Sequence, residues 1–375
     1  MKWPGAYWRD IVRCYVEGTE VPSAKIHGDG RTLDTGEATH TLELLDFLSD
    51  GPDDGTHLLH EKSRERRIEN VFFNRLLHDE IEKIDSEIRK HDLSYAWLKG
   101  GTFLRNDTYP KGTRRLSDLD LLLRKQELGI WHDVLTKLGY GTHRDPEWIR
   151  SSSFSDSVSS TFYTKEENGK TILIDVHWHL VDYPARRAAE RWDFEMEPVF
   201  RAIEDQSLAP EHRILYLLDH AFSHEFRFWK FVTDLHHVLE NHSLDRSFLK
   251  EEADRTHFGD TLQLGMSFLK LFFDGTLPDH FREPLGEYVP EERGAFEKKA
   301  LRGELPKSVF LRRSFPWLKS CRQRLIFLTN IVFPPVSAVP RISSDSGCRE
   351  VLRLYGRRMK RVLSRGPSIW GIKSF

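Results

Sequence analysis

Leu98-Lys99-Gly100-Gly101-Thr102-Phe103-Leu104-Arg105-Asn106-Asp107-Thr108-Tyr109-Pro110-Lys111-Gly112-Thr113-Arg114-Arg115-Leu116-Ser117-Asp118-Leu119-Asp120 is a polar crossing between two apolar strands. Tyr95-Ala96-Trp97-Leu98 runs into it, and Leu121-Leu122-Leu123 runs out. Paired glycines after a strand let backbone N–H groups approach a phosphate, because no Cβ stands in the way. Side chains on a strand repeat every two residues, so Asp118 and Asp120 point to one face. Carboxylates held together there repel one another unless a cation lies between them. A phosphate cradle beside a pair of divalent-metal carboxylates is equipment for moving a nucleotidyl or phosphoryl group.

Two-metal transfer chemistry also needs a third carboxylate on a neighbouring strand. In Thr171-Ile172-Leu173-Ile174-Asp175-Val176-His177-Trp178-His179 the sole acid is Asp175, set among apolar residues where a carboxylate is costly without a partner. His177, two residues on, is expected on the same face. Each signal alone has an ordinary reading: Gly-Gly as a turn, Asp-x-Asp on an exposed strand, a strand Asp pairing with Arg. Their occurrence in order, each in strand context, favours the joint one.

Outward from this centre, Ile68, Phe72, Leu77, Ile81, Ile84 and Ile88 recur at helical spacing and predict a helix over Ser63–Lys90. Leu128, Trp131, Val134, Leu135 and Leu138 predict another, closed by Gly139. Val158–Thr164 and Thr171–His179 alternate around Glu167-Asn168-Gly169 and read as a hairpin. Residues 63–185 are thus a mixed α/β catalytic domain. Residues 186–300 read as helical, with one strong helix over Ile214–Leu239 and another over Asp260–Phe273. Residues 1–62 form a variable N-terminal lobe, with short helices around Tyr7–Val12 and Thr41–Leu48 and loops around Gly28–Gly30 and Gly51–Gly55. Residues 301–375 form a basic helical segment, including a helix over Glu350–Ser364.

The net charge of −2 is unevenly spread. Arg302 to the end holds 16 Lys and Arg against 3 Asp and Glu, leaving 40 basic against 55 acidic residues in the rest. The basic segment either faces a polyanion such as RNA, a nucleotide-linked substrate or a membrane surface, or docks as a solvated helical face on the acidic body. Cys14, Cys321 and Cys348 are scattered and odd in number, which argues for a reducing cytoplasm and against a disulfide scaffold. No apolar run approaches the roughly 20 residues of a membrane span, and the N-terminus does not read as a signal peptide.

Leu98-Lys99-Gly100, then Tyr109, then Arg114 and Ser117-Asp118-Leu119-Asp120-Leu121-Leu122 resemble the LKG…Y…R-x-x-x-D-I-D-L-L signature of an uncharacterised bacterial nucleotidyltransferase family of the DNA polymerase β-like superfamily. Ile174-Asp175-Val176-His177-Trp178 resembles its acid-x-His-Trp element. Leu217-Leu218-Asp219-His220-Ala221-Phe222-Ser223-His224 and Phe231-Val232-Thr233-Asp234-Leu235 resemble its helical H-x-x-x-H…D-L segment. The superfamily usually carries Gly-Ser where this chain has Gly100-Gly101.

The resemblance implies an α+β fold, with a polymerase β-like mixed sheet, flanking helices and a mostly helical C-terminal domain. It implies that Gly100, Gly101 and Thr102, with Ser117, cradle the phosphates of an NTP such as ATP. Asp118 and Asp120 would bind two Mg²⁺ (or Mn²⁺) ions, and Asp175 would hold the catalytic ion. Arg114 would neutralise phosphate charge; Lys99 would do the same or pair with an acid. The acceptor is open among a small molecule, a glycan or lipid-linked intermediate, an RNA and a protein.

Two rival readings come from other classes. One is a catalytically inactive module that binds nucleotide or RNA. The other is a metal-dependent hydrolase on His220 and His224, which stand one helical turn apart. Those histidines read equally as a buried network or, with Asp234 and His177, as walls of a pocket. His236 and His237 read as surface or packing residues.

Overall fold

A computed structural model describes residues 4–19, 41–48 and 57–288, apart from 92, 145, 152–159, 181–195, 225, 227 and 257. The expected basic C-terminal helix, the segment 301–375 and the loops at Gly28–Gly30 and Gly51–Gly55 lie outside the described residues. No helix among the described residues is long and apolar enough to cross a membrane. The protein is α+β, with a small four-stranded sheet and many helices. Its chain divides into two compact units that interleave in sequence.

The first unit takes the described residues within Met1–Asp85, Trp97–Leu119 and Ala202–Leu305. It begins with α1 (Pro4–Glu17), α2 (Leu42–Leu48) and the long α3 (His57–Ile88), whose last residues belong to the second unit. Leu77, Ile81 and Ile84 of α3 are buried, as their spacing predicts, but Ile68 and Phe72 are exposed, at 48% and 72%. The expected helix is present, and this half of it lies against the polar crossing. Backbone carbonyls there need donors rather than apolar cover. Arg67 Nε donates to Lys111 O (3.2 Å), Asn70 Nδ2 to Gly112 O (3.1 Å) and Asn74 Nδ2 to Arg114 O (3.0 Å). Positions 67, 70 and 74 form one stripe at helical spacing.

The rest of this unit includes the short α4 (Lys99–Arg105), α8 (Pro210–Ser223), α9 (Lys230–Asn241), α10 (Arg246–Arg255), α11 (Gly259–Phe272) and α12 (Asp279–Leu285). The single helix expected over Ile214–Leu239 is two, α8 and α9. Between them Phe226 adopts φ +56, a left-handed conformation that ends a helical run. Its ring is fully buried and stacks on Phe268 at 4.7 Å. The turn places an aromatic in the core, so the apolar periodicity continues across a break in the backbone. α11 passes close to α8 at Gly265, where an added Cβ would meet Leu218 Cδ2 at 2.6 Å.

The second unit takes the described residues within Ser86–Ala96 and Asp120–Arg201. Its sheet has the order β1-β2-β4-β3, from β1 (Tyr95–Leu98), β2 (Leu119–Leu123), β3 (Ser160–Glu167) and β4 (Lys170–His177). α5 (Leu128–Lys137) covers it with buried Leu128, Trp131, Val134 and Leu135, followed by α6 (Pro146–Ile149) and α7 (Met196–Arg201). β3 and β4 form the expected antiparallel hairpin, with Phe162 opposite Asp175 and Ser160 opposite His177. Along β4, Ile172, Ile174 and Val176 are fully buried on one face. Period-two alternation puts Asp175 and His177 on the other.

Glu252 illustrates how a buried acid is accommodated in the first unit. Burial disfavours its charge, but His212 (3.3 Å) and two bonds from Arg255 (3.1 and 2.7 Å) outweigh it and bring the pKa down to about 2. A depressed acid stabilises the fold above its unfolded pKa and loses that contribution as pH falls through the folded value. Glu252→Gln should cost about 1–2 kcal/mol at neutral pH, allowing for the partial exposure of Arg255. In urea unfolding, the gap between wild type and variant should narrow as pH falls from 4.5 toward 2.

Candidate functional site

On β2, Leu119, Leu121 and Leu123 share one face, and Asp120 turns to the other. β2 and β4 are neighbours in the sheet, so Asp120 comes beside Asp175 and His177. His177 Nε2 lies 3.2 Å from Asp120 Oδ1 and 3.2 Å from Asp175 Oδ2. One ligand atom from each of the three lies within 4.8 Å of the others. His177 is fully buried, while the side chains of Asp120 and Asp175 are 6% and 17% exposed. Asp175 Oδ1 is buried and accepts no hydrogen bond. A buried carboxylate oxygen without a donor costs several kcal/mol unless a cation meets it. The carboxylate oxygens of Asp120 and Asp175 are hard ligands suited to a divalent ion. Phe162, 45% exposed, stands across the strand from Asp175 with its ring 6.4 Å from that of His143.

Asp118 and Ser117 precede β2 in the first unit. Asp118 is half-buried and accepts from Ser117 Oγ at 2.7 Å.

Gly100, Gly101 and Thr102 lie in the first turn of α4, and all are buried. A Cβ at Gly100 would collide with Leu116 Cδ2 and Arg114 Nη1, so this glycine admits the close passage of the crossing's far end. The Thr102 hydroxyl donates to the carbonyl of Trp97. Lys99 holds φ +44, and its ammonium sits 5.3 Å from the ring centre of Tyr216.

Arg114 is buried and forked onto Asp234, Nε to Oδ1 at 2.7 Å and Nη2 to Oδ2 at 2.9 Å. Tyr109 donates to the same carboxylate at 2.6 Å. Tyr109, Arg114 and Asp234 therefore act as one unit, tying the crossing to α9. Lys230 opens α9, and sequence reasoning passed over it. Burial, then Arg114, lowers its pKa, with Asp234 and Asp118 opposing and Lys99 adding, to about 8. Its place four residues before Asp234, on the same helical face, was the available signal.

His220 and His224 stack edge to face at 4.5 Å, with His224 5.0 Å from Phe228. Among the described residues, two groups of three or more potential ligands converge, and these histidines belong to neither. The second group is His236, His237 and Glu240. His236 and His237 are 5% and 9% exposed, so neither is a surface residue.

The model of a family described as uncharacterised nucleotidyltransferase matches residues 52–274, more than half of the chain. No curated protein and no solved structure matches it.

The Arg114–Asp234 pair yields a direct test. Asp234→Ala leaves a buried guanidinium uncompensated and should cost about 3–5 kcal/mol in urea unfolding. Arg114→Ala combined with Asp234→Ala should cost less than the sum of the single changes, since the double variant buries neither charge. Strict additivity would show that the pair is not coupled.

Proposed function

The chain belongs to the uncharacterised nucleotidyltransferase family, and on that premise we propose that it moves a nucleoside monophosphate from an NTP to an acceptor and releases pyrophosphate. The observation that carries this reading is the convergence of Asp120, Asp175 and His177, with the buried Asp175 Oδ1 accepting no hydrogen bond. A binding module has no need to hold two carboxylates together at that electrostatic cost.

Asp120 and Asp175 would hold Mg²⁺ or Mn²⁺, with Asp118 two residues ahead of Asp120 in sequence. The ion would supply neutralisation of phosphoryl charge and a lower pKa for the attacking hydroxyl. Asp175 orients the acceptor, whose oxygen bonds to the α-phosphorus as the bond to the pyrophosphate oxygen breaks. His177, hydrogen-bonded at Nε2, fixes the spacing of the two carboxylates. The family resemblance assigns phosphate binding to Lys99, the turn Gly100-Gly101-Thr102 and Ser117, all within the first unit. Arg114, committed to Asp234, ties the crossing to α9.

The test uses purified protein, Mg²⁺ and each α-labelled NTP, with acceptors supplied as total RNA, small-molecule extract or protein extract. Wild type should transfer label and release pyrophosphate. Asp120→Asn and Asp175→Asn, which keep side-chain shape, should each lower the rate by about 100-fold or more. Equal rates in the wild type and both variants, or NTP binding without turnover in every condition, would contradict the reading.

A further inference from the structure

The second converging group lies on α9, wholly within the first unit. His236 Nε2 lies 3.2 Å from Glu240 Oε2, one helical turn on. The other ring nitrogen, His236 Nδ1, lies 2.9 Å from Nε2 of His280 on α12. His237 Nε2 lies 2.9 Å from the hydroxyl of Tyr15 on α1. One ligand atom each from His236, His237 and Glu240 falls within 4.8 Å of the others. The two imidazoles are buried, whereas the Glu240 side chain is 49% exposed and opens the group to solvent.

We propose that His236, His237 and Glu240 bind a zinc-class divalent transition-metal ion, with His280 orienting His236. Two imidazole nitrogens and one carboxylate oxygen form a borderline-soft donor set, unlike the carboxylate-dominated group on the sheet. Ligand bonds of about 2.0–2.2 Å separate donors by a little over 3 Å in tetrahedral geometry, and the Nε2–Oε2 distance of 3.2 Å fits. A ligating imidazole characteristically engages a partner through its other ring nitrogen, which fixes the tautomer and the ring plane. His280 stands at that position. With the His236 proton on Nδ1 and donated to His280, the Nε2 lone pair faces the carboxylate, an arrangement that a cation makes favourable. The ion would join α9 to α12 through His280 and bring α1 alongside through Tyr15. The exposed carboxylate provides an entry path and leaves a coordination position for water.

Co²⁺ titration of untagged, chelator-treated full-length protein, followed by visible absorption, tests the site. Wild type should bind one Co²⁺ per chain with the intense d–d bands of a low-coordinate nitrogen/oxygen site, separate from any ion held by Asp120 and Asp175. Metal analysis of the protein as purified should find near-stoichiometric zinc. Glu240→Ala removes a half-exposed ligand without opening the core and should abolish the bands. His280→Ala should weaken Co²⁺ binding by about 10- to 100-fold. Asp120→Asn/Asp175→Asn should leave the bands unchanged, which separates this site from the one on the sheet. The proposal is overturned if wild type gives no such bands. It is equally overturned if the bands survive in a Glu240→Ala variant whose circular dichroism matches wild type, or if they disappear in the Asp120→Asn/Asp175→Asn variant.

Discussion

A carboxylate inside a protein survives only where something positive, or a sufficient set of donors, meets it. Asp234, Glu252 and the pair Asp120 and Asp175 meet that constraint in two different ways. Asp234 receives a forked guanidinium and a phenol hydroxyl. Glu252 receives an arginine and an imidazole. Asp120 shares one imidazole nitrogen with Asp175, and Asp175 keeps a buried oxygen to which nothing donates. The first two arrangements close on themselves and hold helices in place. The third is left open to an ion.

Sheet geometry creates that opening. β2 and β4 are neighbours, and their alternation buries leucine, isoleucine and valine on one face. The same alternation turns Asp120, Asp175 and His177 to the other face, so the apolar face that stabilises the strands also brings the charged groups together. In the first unit the polar crossing is held over Lys111–Arg114 by side chains from two helices. Arg67, Asn70 and Asn74 bind its carbonyls from α3, and Asp234 holds Arg114 from α9. Gly100 lets that crossing pass without a Cβ in the way.

Much of this was legible from local patterns. Period-two alternation located β4 and the hairpin, and period-3.6 spacing located α5 and α11 to within a residue or two and α3 with its start six residues late. Asp120 and the later Asp175-x-His177 pointed to the sheet face that bears the acids, whereas Asp118 precedes β2. Legibility ended where a contact joins distant segments or where two environments share one residue pattern. Arg114 meets a partner 120 residues away, and no local spacing distinguishes that end from a phosphate. Phe226 interrupts a helix without interrupting its apolar period. Ile68 and Phe72 continue the apolar spacing of α3 but are exposed. His236 and His237 looked like ordinary helix residues because His280 and Tyr15, which give them their setting, lie 44 residues later and 222 residues earlier.

The central claim is that Asp120 and Asp175 form a divalent-cation site. Mn²⁺ binding followed by electron paramagnetic resonance tests it most directly. The titration would compare wild type, Asp120→Asn/Asp175→Asn and Glu240→Ala at neutral pH. Mn²⁺ should bind wild type and Glu240→Ala, and binding should be lost in the doubly substituted protein while the fold persists. Equal Mn²⁺ binding in all three proteins, or none in wild type, would contradict it.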